Sequence, residues 1–267
     1  MTVQIRDIVR NHVKEKLARG EVVASMTVRL VRTIEIARIA RTAGFDTLYI
    51  DLEHNSLSFD ATGQICIAAL AMGITPFVRV PTGRPEHVSR ALDGGALGII
   101  APHIHSAEDA KRVVSAAKFP PLGERSASGG LPLIEYRTFP ASEANPALND
   151  ATMVIVMMET LEALEQVEEI AAVEGVDMMM LGTSDLTAEM GIPGRYDDPR
   201  VRDAYARTIA ACRKHGKHVG IGGLATRPDL VAEFVKMGAR YVSTGTDLNF
   251  LLGACTQKAK QVLDLKT

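Results

Sequence analysis

The sequence predicts a single α/β domain, an eight-stranded parallel TIM (β/α)8 barrel over residues 1–267, with an added helix at each terminus expected to pack outside the barrel or on another subunit. Three observations predict it. Short apolar runs alternate with helix-periodic segments along nearly the whole chain, there are eight such runs, and 267 residues suit one barrel of about 250 residues.

In chain order the runs are Val22–Arg29, Thr47–Leu52, Thr75–Val80, Leu97–Pro102, Met153–Met158, Met178–Leu181, His218–Ile221 and Tyr241–Ser243. The stretches between them include the amphipathic segments Ser106–Ala117, Leu161–Ala172, Asp203–His215 and Asp229–Met237. Several end at a glycine suited to closing a helix, namely Gly44, Gly73, Gly216 and Gly238. Strands buried on both faces and separated by helices call for a parallel sheet with right-handed crossovers. With 46% hydrophobic residues, no Trp and 4% aromatics, the core must rest on Val, Ile, Leu, Met and Ala. The run Met178-Met179-Met180 reads as barrel core, not as sulfur ligands. The first twenty residues, MTVQIRDIVRNHVKEKLARG, are charged and helix-periodic, unlike a signal peptide. The longest break in the rhythm, Pro120–Asp150, is expected to be an active-site loop, with a plain surface insertion as the alternative.

Whole classes of function fall away. Thirty basic against 32 acidic residues give a net charge of −2, so nothing draws the chain to nucleic acid or an anionic membrane. Cys66, Cys212 and Cys255 lie far apart and form no CxxC motif. No apolar run approaches the roughly 18 residues of a membrane span. The expected setting is a reducing one, the cytoplasm.

In a barrel of this kind the chemistry gathers at the C-terminal ends of the strands. There the sequence sets Asp51-Leu52-Glu53-His54, Arg79, Glu159 and Gly182-Thr183-Ser184-Asp185. Glu159 and Asp185 each open a helical stretch and could serve as helix-start charges, with Thr160 as a competing cap. Together they instead make a two-carboxylate oxygen site suited to Mg²⁺, Mn²⁺ or Co²⁺. His54 is the natural proton carrier. Asp93 closes a helix against the macrodipole and so calls for a specific partner; paired with His54 it would raise the imidazole's basicity. Arg79, inside an apolar strand, suits a carboxylate or a developing enolate oxygen. His103 and His105 read as loop or supporting residues, and Gly220-Ile221-Gly222-Gly223 and Gly245-Thr246 as weakly phosphate-like turns.

The segments FDTLYIDLEH (45–54), FVRVP (77–81), PPLGER (120–125), METLE (158–162), EGVD (174–177) and LGTSDLTAEMG (181–191) occur in an order that resembles one family. It is that of the class II, metal-dependent pyruvate aldolases typified by 4-hydroxy-2-oxoheptane-1,7-dioate aldolase and 2-dehydro-3-deoxyglucarate aldolase, the HpcH/HpaI aldolases. The resemblance implies metal ligation by Glu159 and Asp185, a His54–Asp93 proton-handling dyad and an Arg79 that steadies the enolate. Ser184 and Thr183, with Arg125, would meet the substrate. It also implies trimers or hexamers that exchange C-terminal helices, here Leu248–Leu265. The reaction implied is reversible cleavage of 4-hydroxy-2-oxo acids to pyruvate, or a close 2-oxo acid, plus an aldehyde. No strand end carries a Lys, so no Schiff base is expected. The chain departs from the family at Met157, usually Gln; at Gly123–Ser128, usually Gly-x-Arg-Gly-x-Gly; and at Thr183-Ser184, usually Pro-Ala. Rival readings are an acyl-CoA carbon–carbon lyase of the citrate or malyl-CoA lyase type, a non-catalytic barrel that binds a 2-oxo acid, and a phosphate-binding isomerase.

Overall fold

A computed structural model of the chain describes residues 4–82 and 84–265. The eight runs form β1 (Val23–Val28), β2 (Thr47–Asp51), β3 (Thr75–Arg79), β4 (Gly98–Ala101), β5 (Met153–Met158), β6 (Met178–Gly182), β7 (His218–Gly222) and β8 (Tyr241–Thr246). They close into a barrel in sequence order, each paired in parallel with its neighbours. The helices are α1 (Ile5–Ile8), α2 (His12–Ala18), α3 (Glu35–Ala43), α4 (Phe59–Ala71), α5 (Pro85–Asp93), α6 (Ala107–Ala117), α7 (Ala141–Ala151), α8 (Leu161–Glu165), α9 (Val167–Ala171), α10 (Thr183–Glu189), α11 (Pro199–Lys214), α12 (Pro228–Met237) and α13 (Asp247–Leu263).

The strands alternate strictly between two cores, which is the period of two expected of a pleated strand. Tyr49, Phe77, Ile100, Ile155, Met178, Met180 and Tyr241 point inward and fill the barrel. Ile50, Val78, Ile99, Val154, Val156, Met179 and Leu181 point outward against the helices. All four glycines expected to end helices have positive φ, 91° at Gly44, 70° at Gly73, 65° at Gly216 and 135° at Gly238. The predicted segment 161–172 is broken at Gln166 into α8 and α9.

Two expectations change. The N-terminal stretch, whose first three residues lie outside the described ones, does not pack outside the barrel. Its α2 inserts Val13 and Leu17 into the barrel interior from the end where the strands begin. Nor does Pro120–Asp150 line the cleft formed by its own chain. It holds a 3₁₀ turn, Pro132–Ile134, and most of α7, which pack with Ile5 and Val9 in a third core. Asn11 ties this layer to the same end, its Nδ2 donating to Leu97 O at 3.2 Å and Ala151 O at 2.8 Å. Apolar residues at intervals through the segment let it cover the barrel floor.

Candidate active site

At the opposite end, where the strands finish, an open cleft of about 440 Å³ is lined by Arg29, His54, Arg79, Glu159, Ser184 and Asp185, among others. Glu159 directly follows β5 and is almost fully buried. It does not cap α8, because Thr160 Oγ1 takes that role, accepting from Ala163 N at 3.1 Å. The Glu159 carboxylate turns instead toward the rim, where its Oε2 accepts the His103 N–H at 3.1 Å. Asp185 lies in the first turn of α10 and accepts no hydrogen bond from a described residue, so its carboxylate is left for the cleft. Burial and the charge of Asp185 push the Glu159 carboxyl above its usual range, against the stabilising His103 N–H. Two acids that repel each other over one cleft are a pair in need of a cation.

The backbone beneath them has been cleared. A Cβ built on Gly182 would stand 2.4 Å from Glu159 Oε1 and 2.7 Å from its Cγ, so only glycine lets the carboxylate lie there. This donor set fits a hard divalent cation. Among the described residues no third His, Cys, Asp or Glu completes the group. Mg²⁺ commonly accepts one or two carboxylates and fills its other positions with water and substrate oxygens.

Arg79 ends β3 opposite Asp51 in the parallel register. Its fork grips that carboxylate through Nε at 2.9 Å and Nη2 at 2.7 Å, while Nη1 lies 2.8 Å from Glu53 Oε2. Burial alone would raise the Asp51 carboxyl, but the hydrogen bonds and charges of Arg79 and Arg29 hold it below the usual carboxylate range. Asp51 Oδ1 also accepts from Glu53 N at 3.0 Å and His54 N at 3.3 Å, which sets the turn that presents His54. Met157, where the family usually has Gln, receives the Tyr49 hydroxyl on its sulfur at 3.8 Å and lies 4.0 Å from Arg79 Nη1. His103 supports the site as expected, with Nε2 2.8 Å from Glu53 Oε1 and a positive φ of 53°.

Three assignments from the sequence do not hold within one chain. Asp93 ends α5, and a barrel helix runs back toward the end where the strands start, so Asp93 lies at the far end from His54. Its partner there is Arg125, whose Nη2 donates at 2.6 Å. Arg125 is therefore not in the cleft either; its guanidinium is buried against the Phe119 ring, 4.6 Å from the centroid. The acid beside His54 in its own chain is Glu53, at 3.6 Å. Thr183 is a lock, not a substrate contact: its buried Oγ1 lies 2.9 Å from Tyr205 OH and donates to Gly222 O at 2.7 Å. Ser184 does face the cleft, with Oγ 3.2 Å from Tyr196 OH.

Sequence reasoning placed Asp51 and Glu53 at the rim without giving them a role, and passed over Arg29. Arg29 follows β1, and its Nε donates to Asp51 Oδ2 at 2.6 Å. The signal was present, since Arg29 closes the apolar run Val22–Arg29 at a strand end. A buried lysine with the depressed pKa of a Schiff-base former also exists, Lys118, which burial pushes down to about 8. It sits at the wrong end for catalysis, its Nζ donating to the carbonyls of Asn149, at 2.7 Å, and Thr152.

A profile of the family described as HpcH/HpaI aldolase/citrate lyase matches residues 30–254. A 4-hydroxy-4-methyl-2-oxoglutarate aldolase of Hapsidospora irregularis is 41% identical over 248 residues, covering 91% of this chain and 92% of that protein. One of the same name from Chaetomium globosum is 40% identical over 255 residues, covering 94% and 95%. Among solved structures, an HpcH/HpaI aldolase from Desulfitobacterium hafniense has a TM-score of 0.89 at 30% identity, covering 95% of this chain and 97% of that one.

Proposed function

The chain belongs to the HpcH/HpaI aldolase/citrate lyase family and is a carbon–carbon lyase of the aldolase type; we propose that it reversibly cleaves 4-hydroxy-2-oxo acids through a pyruvate-type enolate, using a divalent metal. The carbon–carbon bond between C3 and C4 breaks. The C4 hydroxyl loses its proton and becomes the carbonyl of the released partner, while C3 keeps the electron pair and is then protonated to the methyl of pyruvate. Glu159 and Asp185 hold the cation, which when bound supplies Lewis acidity toward the 2-oxo group. Arg79, fixed by Asp51 and Glu53, steadies the developing enolate oxygen. Ser184 contacts the substrate carboxylate. His54 moves the C4 hydroxyl proton; Asp93 can assist it only from a second copy of the chain, because within one chain it is bound to Arg125. The aldolase names of the relatives at 40–41% identity favour this reading over the acyl-CoA lyase.

The observation that carries the proposal is that Glu159 and Asp185 line one cleft with neither spent on capping a helix. Chelation should abolish turnover, and Mg²⁺, Mn²⁺ or Co²⁺ should restore it. Glu159→Gln and Asp185→Asn should each weaken metal binding, measured by titration calorimetry, by about 100-fold or more, the loss of one charged ligand outweighing the 10–100-fold typical of supporting residues. Either variant binding metal and turning over like the parent would defeat the assignment. Borohydride with pyruvate should trap no covalent adduct.

A further inference from the structure

We propose that Arg29 selects substrates carrying a second carboxylate, by binding the carboxylate of the carbonyl partner that is released on cleavage or added on condensation. The inference deepens the proposed aldolase reading and rests on it.

Its basis is the unequal use of two guanidiniums on one acid. Each nitrogen of Arg79 already gives one N–H to Asp51 or Glu53, which leaves single N–H groups for an enolate oxygen but no fork free of partners. Arg29 meets the same Asp51 with Nε alone, and its two terminal nitrogens have no hydrogen-bond partner among the described residues. Two cations thus share one fully buried carboxylate, and Glu53 is in turn shared with His103 at 2.8 Å. Arg29 lines the cleft with its side chain 36% exposed, so its unspent donors are open to a ligand there. A guanidinium with two parallel free N–H groups is the geometry for a bidentate carboxylate.

Position supports the same assignment. In the closed order of strands, β1 stands across the barrel from β5, so Arg29 faces Glu159 over the mouth. A 2-oxo acid held by its first carboxylate and oxo group near Glu159 and Asp185 extends its far end toward β1. Arg29 is also fixed in place. The backbone N–H groups of Arg29, Leu30 and Val31 all donate to the buried Asp247 carboxylate, at 2.9, 3.0 and 2.8 Å. Beside it, Thr27 Oγ1 and Ser243 Oγ, 3.1 Å apart, line the cleft as hydroxyls able to meet a polar chain. An acceptor that is itself a 2-oxo acid fits this wall: its carbonyl lies toward the enolate and its carboxylate toward Arg29.

The test compares 4-hydroxy-4-methyl-2-oxoglutarate with the analogue bearing a methyl in place of the distal carboxylate, in the parent protein, Arg29→Gln and Arg29→Lys. The ratio of kcat/KM for the two substrates within each protein cancels any general loss passed through Asp51. The parent should favour the diacid by about 100-fold or more, since a site built to bind a polar group rejects an analogue lacking it. Arg29→Gln should bring the ratio close to one, and Arg29→Lys should keep an intermediate preference. A parent without preference, or an unchanged ratio in Arg29→Gln, overturns the inference. Exchange of pyruvate methyl protons for deuterium by the parent with Mg²⁺ reports on the enolate separately. Exchange with no change of ratio condemns only Arg29, whereas no exchange removes the aldolase reading and this inference with it.

Discussion

Gly182 has no side chain because Glu159 occupies the space one would need. Gly182→Ala should therefore displace the carboxylate without altering a ligand. We expect roughly a 100-fold fall in kcat/KM, the scale at which small misplacements act, with a matching loss of metal affinity by calorimetry. Unchanged metal affinity in Gly182→Ala would show that the close packing is incidental. At this scale legibility depended on direction along the fold. Glu159, Asp185, Ser184, Arg79 and His54 were readable because each follows or ends a strand, and strand ends share a rim. Asp93 closes a helix, and helices run the other way, so its chemistry was assigned to the wrong end. Its need for a partner was correctly inferred from the macrodipole, and Arg125 supplies it. Thr183 misled for another reason: its neighbour Ser184 faces the cleft, and nothing in the sequence shows that the Thr183 hydroxyl is spent on Tyr205 and Gly222.

The elements themselves were legible from periodicity, since all eight strands fall within the predicted runs or a few residues of them. What periodicity could not give was which end of the barrel a connecting segment covers. The segment 120–150 and the N-terminal helix were both misplaced, and both turn out to build the floor. Leu17 of α2, in contact with the barrel interior, tests how much that floor contributes. Leu17→Ala should destabilise the protein by about 2–5 kcal/mol, the range for a buried leucine truncated to alanine, read from denaturant unfolding. Metal affinity should stay as in the parent, because the cleft lies at the other end of the strands. A loss under 0.5 kcal/mol, of the size usual at surfaces, would mean that α2 is a loose attachment.

For the whole molecule, the least settled surface belongs to α13, where only Asp247 is buried and Phe250, Leu251, Leu252, Val262 and Leu263 are exposed. So much apolar surface on one helix marks an interaction site, and we propose that α13 docks on another copy, as the family resemblance implies. Light scattering should give a trimer or hexamer, and Leu252→Glu with Leu263→Glu should yield smaller species; a monomeric parent would refute this. Among the described residues no helix is long and apolar enough to cross a membrane. The plug formed by Val13 and Leu17 leaves the barrel a blind well with a single opening. On the proposed reading, both fragments of a cleaved substrate share that one exit, because the floor offers no second way out.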